Sequence, residues 1–216
     1  AKTLLQEYER NLEEHQVGLA LTLLNSMYKI YKQTPSYEKS YEVGVVLNNI
    51  ASVHLVNVET ELLTKEDEVD KNVMNESLDD AKINILKAID LYEKWMKEMG
   101  SLTGAEIRVK ITPFFNQDDP AFKEVDFQNV FEKRVDDILT AQIETPRRLS
   151  VAYTNLGVVN RYKGDLDASK RNYETALSLW ERNFIAQDNL DILMNRPVKK
   201  RSMISRLFPP DRKDES

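Results

Sequence analysis

The sequence has no cysteine, two histidines and only six glycines among 216 residues. Without cysteine there is no disulfide framework, no thiolate nucleophile and no zinc site built on sulfur, which removes the commonest redox and structural-metal chemistries. The two histidines, His15 and His54, are far apart and neither has a second ligand at metal-binding spacing, so no metal and no cofactor is expected. No apolar run approaches the roughly 18 residues of a membrane span, and the opening AKTLLQEYER lacks the apolar centre of a signal peptide. The chain opens on Ala1 rather than methionine, so the reading leaves room for a fragment of a longer, membrane-anchored protein. It places the chain inside the cell, cytoplasmic or mitochondrial.

Catalytic motifs are missing too. The phosphate-binding loop, the His-Glu-x-x-His zinc pattern, the nucleophile elbow and the dinucleotide glycine fingerprint are all absent. Adjacent acid pairs such as Glu13 with Glu14 and Asp79 with Asp80 point to different azimuths of a helix, so they read as solvated charge rather than acid–base pairs. The expectation is therefore a protein that is not an enzyme.

What is present is ordinary soluble composition, 41% hydrophobic and 31% charged, with a net charge of −6. That charge is divided unevenly. From Arg196 onward seven basic residues face three acidic ones, giving +4 and leaving −10 for residues 1–195. An acidic body repels phosphate backbones, so nucleic acid is not an expected partner.

Apolar residues recur at three- and four-residue steps along most of the chain, which predicts an all-α fold. Leu5 to Ile30 carry this period and stop at Thr34–Pro35–Ser36, and a second segment runs from 37 to about 63. A third has Ser77 as candidate N-cap and ends at Gly100. Between 101 and 126, Ile107, Val109 and Ile111 alternate with polar neighbours and prolines flank Phe114 and Phe115, so an extended or irregular insertion is expected. Helical spacing resumes at Phe127. Thr145 and Pro146 then read as N-cap and first residue of a new helix.

Two stretches repeat. VLNNIASVHL (46–55) aligns with AYTNLGVVNR (152–161), setting Asn49 on Asn155, Ile50 on Leu156 and Ala51 on Gly157. Each is followed by a helix with matching small and large residues: Leu78, Ala81, Ile85 and Ala88 in one, Leu166, Ser169, Tyr173 and Ala176 in the other. This pattern resembles the tetratricopeptide repeat (TPR), a helix-turn-helix unit of about 34 residues. The match is best over 150–183, where Tyr153, Leu156, Gly157, Gly164, Leu166, Tyr173 and Ala176 fall on the template without a gap. Asn160 and Glu181 depart from it. YEVGVVLNNIASVHL is also weakly similar to the longer helical Bro1 domain.

The resemblance implies a TPR-like solenoid of helix hairpins over residues 1–195. Its parts would be a degenerate repeat at 1–34, a repeat at 44–99 with an expanded connection, the insertion at 101–126, an extra helix at 127–144, the best repeat at 150–183 and a capping helix at 184–195. Residues 196–216 would follow as a flexible basic tail. In this family the first helix of each repeat lines a concave groove that receives peptides. By resemblance the groove residues are Val45, Asn48, Asn49, Ser52, Leu55 and Val56 in one repeat, and Val151, Thr154, Asn155, Val158, Arg161 and Tyr162 in the other. Only Arg161 among them is cationic, so the basic clamp used for chaperone C-termini is missing. The expected partner is an extended segment of a protein, bound by an adaptor or scaffold. The alternatives are a structural assembly subunit that uses its outer surface and a Bro1-like scaffold.

Overall fold

The computed structural model describes residues 16–64, 70–118, 122, 123 and 125–198. The expectations for His15 and the first residues, for the acidic connection at 65–69 and for the tail beyond Val198 lie outside them. All regular structure among the described residues is helical: α1 (Val17–Gln33), α2 (Tyr41–Thr64), α3 (Lys71–Met99), α4 (Gly104–Ile111) with a 3-10 turn at Thr112–Phe114, α5 (Phe127–Tyr162), α6 (Leu166–Leu179) and α7 (Phe184–Leu193). The chain divides into two units, residues up to Thr145 and residues from Pro146 onward.

In the first unit, α1 and α2 pack through Ala20, Leu24 and Met27 against Val46, Ile50 and Val53. Burying each Leu, Ile or Val contributes about 1.5–3 kcal/mol, so this seam supplies much of the drive that holds α1 in place. α3 starts six residues before the expected cap. Asp70 caps it instead, accepting from the amides of Asn72 and Val73, while Ser77 lies buried mid-helix with Asn57 Nδ2 3.5 Å from its hydroxyl. The buried stripe begins only after Ser77, with Leu78, Ala81, Ile85, Ala88, Ile89, Tyr92 and Trp95 packing against α2, while the added first turns are mostly exposed. Its end falls as expected, at Met99, but Gly100 has an ordinary right-handed helical backbone and supplies no left-handed cap.

Within the expected extended or irregular insertion at 101–126, residues 104–111 are helical. Thr103 and Glu106 form a reciprocal capping box that starts α4, and Ile107 and Ile111 are buried one turn apart while Val109 is 77% exposed. Alternating apolar residues had suggested an extended or irregular run, yet two of the three also satisfy the i, i+4 spacing of a short helix, and the cap decides between them. Ile107 and Ile111 complete a core with Trp95, Val135, Ile138 and Ala141. Phe115 joins an aromatic cluster, edge-on to Phe131 at 5.3 Å, while Phe114 remains half in solvent.

Thr145 and Pro146 do not start a helix either, because α5 runs unbroken through both for 36 residues. The buried Thr145 hydroxyl donates to the Ala141 carbonyl at 2.6 Å in the turn just before the proline, whose missing N–H deprives the helix of one bond, to the Gln142 carbonyl.

In the second unit, the C-terminal half of α5 and α6 make an antiparallel hairpin turned at Gly164, whose φ of +80° favours glycine. Asp165 caps α6 through the Ala168 amide. The contact expected at Gly157 is present: a Cβ there would lie 2.4 Å from Tyr173 Cε1, and Ser169 Oγ donates to the Gly157 carbonyl at 2.8 Å. The same device occurs in the first unit at Gly44, where a Cβ would come 2.5 Å from Tyr92 Cε1. The repeat alignment put Ala51 at that place. Ala51 is fully buried, but the glycine–tyrosine contact lies two turns earlier in α2.

The helix expected at 184–195 is α7, and a buried polar network holds it. Asn183 Oδ1 accepts from the Ala186 amide, and Asn183 Nδ2 donates to Ser150 Oγ and Thr154 Oγ1, both at 2.8 Å. Asn183→Ala removes a cap and leaves buried hydroxyls short of a donor. A loss of about 2 kcal/mol is expected, seen as a lower urea midpoint with unchanged helical content.

Candidate partner-binding faces

The residues singled out by resemblance separate by burial. Asn48, Leu55, Thr154 and Val158 are all less than 10% exposed and turn into the protein. Thr154 is already used: it donates to the Ser150 carbonyl and accepts from Asn183. These four side chains are therefore withdrawn from any surface offered to a partner, since helical twist carries their positions round toward the neighbouring helices rather than outward. Arg161 is half-buried, with Nη1 3.3 Å from Asn189 Oδ1 of α7 and its guanidinium 5.4 Å from the Tyr162 ring.

The rest fall on two faces. On α2, Val45, Asn49, Ser52 and Val56 recur at i, i+4, i+7 and i+11, so they share one stripe, and all four are half-buried. On α5, Val151, Asn155 and Tyr162 follow the same spacing and are likewise half-buried. Each stripe has an asparagine one turn in from its apolar start. The Asn49 amide has no hydrogen-bond partner among the described residues, whereas Asn155 is engaged by neighbouring groups. Ser52 Oγ donates to the Asn48 carbonyl.

A cleft of about 480 Å³ lies in the first unit between α1, the Glu38–Lys39 turn, α2 and α3. Val43, Leu47, Leu91 and Trp95 line it, and four lysines and three acids stand round it. Lys32 is paired with Glu38 at 3.0 Å and Lys94 with Asp90 at 2.8 Å. Sequence reasoning missed this cleft because its walls come from three separate helices. The spacing of Val43 and Leu47 shows a buried face but not that part of it stays open.

His54 is half-buried on α2, where burial pushes its imidazole below the usual range and Asp80 pulls the other way. No group of three or more potential metal ligands occurs among the described residues. No helix among them is long and apolar enough to cross a membrane. No protein-family model, curated protein or solved structure matches the chain.

Proposed function

We propose that the protein is a non-enzymatic interaction module, an adaptor or scaffold that holds an extended segment of a partner protein on its TPR-like hairpins. The observation that carries the reading is the Asn49 amide, which has no hydrogen-bond partner among the described residues and is set among half-buried Val45, Ser52 and Val56. An asparagine amide offers a donor and an acceptor to a peptide backbone whatever the peptide's side chains, and the flanking valines offer apolar contact. The corresponding stripe on α5, with Val151, Asn155 and Tyr162, gives the second hairpin the same chemistry.

The double change Asn49→Ala and Asn155→Ala removes two backbone-pairing amides, each worth roughly 0.5–1.5 kcal/mol. Partner affinity is expected to fall by about one to two orders of magnitude, with Asn49→Ala giving the larger share because Asn155 already has protein partners. Pull-down followed by affinity measurement, alongside circular dichroism, checks this. A folded double variant that retains its full set of partners would transfer the reading to an assembly subunit acting through its outer surface.

A further inference from the structure

The last helix leaves an apolar face uncovered. Ile185 is 69% exposed and Ile192 55%, seven residues apart on the same side of α7, and with Phe184, Asp188, Asn189 and Val198 they line a cleft of about 400 Å³. Apolar side chains left this far in water are stabilised when something covers them.

The chain itself turns back toward that face. After α7, Asn195 takes a left-handed backbone with φ of 52°. The Arg196 amide then donates to the Asp191 carbonyl at 2.8 Å, and its guanidinium pairs with the Asp191 carboxylate, also at 2.8 Å. Two residues later Val198 lies in the cleft beside Ile192. The turn and the ion pair thus hold the described chain against α7 as far as Val198.

The residues that follow are KKRSMISRLFPP, 199–210. Met203, Ile204, Leu207 and Phe208 recur at i, i+1, i+4 and i+5, the spacing of one apolar helix face, and Lys199, Lys200, Arg201 and Arg206 are interleaved with them. Asp188 supplies negative charge within the cleft. Ile185 and Ile192 stand about 10 Å apart along the helix axis, a distance that the four residues between Val198 and Met203 cover at about 3.3 Å each.

We infer that residues 203–208 of this same chain dock on the α7 cleft, covering its exposed face with the tail's own apolar side chains. This use of the tail is independent of the groove reading above.

The absence of cysteine makes the test clean. In the full chain, Ile185→Cys and Leu207→Cys place a single thiol pair between the far end of the cleft and the docking segment. Under mild oxidation the pair is expected to close within one chain. Adding Met203→Asp and Phe208→Asp should slow closure by about tenfold, as the segment loses its local concentration at the cleft. Circular dichroism confirms that the surface changes leave the fold intact. Closure at the same rate with and without the aspartates overturns the proposal, and so does a product linked between chains, which would assign the cleft to a second copy. The pair Ile192→Cys with Leu207→Cys repeats the reading at an independent position.

Discussion

Arg134→Met is expected to lower stability by about 3 kcal/mol, the lower end of the range for breaking a buried ion pair. Arg134 is 4% exposed on α5, and its Nη1 donates to Glu42 in the first turn of α2. Its guanidinium lies 4.0 Å over the Tyr37 ring, and Nη2 is 3.4 Å from the Ser36 carbonyl. One side chain therefore ties α5 to the α1–α2 connection and to α2. Removing it strands the Glu42 carboxylate, one of whose oxygens already has no partner. Glu42 keeps 22% of its side chain in water, which sets the cost at the low end. The double variant Arg134→Met with Glu42→Leu removes both charges and should recover much of the loss. Urea titration of the two single variants and the double decides the point. Equal losses in Arg134→Met and the double variant would mean that stacking on Tyr37, not the ion pair, holds the contact.

Gly157→Leu should cost a similar amount, about 3 kcal/mol, at the upper end for overpacking. The neighbour that must yield is Tyr173, fully buried and unable to swing into solvent, and the Ser169 hydroxyl bonded to the Gly157 carbonyl fixes the spacing of the helices as well. Gly44→Leu should behave alike against Tyr92, and Ala51→Leu should also destabilise, since Ala51 has no exposed surface. A melting temperature unchanged in Gly157→Leu would show that α5 and α6 can separate without penalty.

The candidate faces were partly legible. Repeat alignment set Asn49 on Asn155 and the family resemblance added Val45, Val56 and Val151; all five are half-buried in the structure, since residues spaced by whole turns share a face wherever the helix sits. Asn48, Leu55 and Thr154 lie one position off that stripe, while Val158 holds its i+7 position and is buried all the same, because which neighbour covers part of a helix is not written in its own periodicity. Gly44 was visible as a glycine inside a helix, the usual sign of a close approach, but the alignment favoured Ala51.

The sequence by itself determined the all-helical class, the hairpin of large and small residues around Gly157 and the helix that follows Asn183. Each rests on interactions within a few residues or on a small residue that permits one contact, so local chemistry suffices. Tertiary structure decided the rest. It carried α5 through Pro146, because one missing N–H is a local cost that packing along a long helix can offset. It made a helix of Gly104–Ile111, since the two isoleucines have a core to enter only when α3 and α5 supply Trp95, Val135 and Ile138. It also set Arg134 against Glu42, 92 residues apart, a pairing that no local pattern encodes.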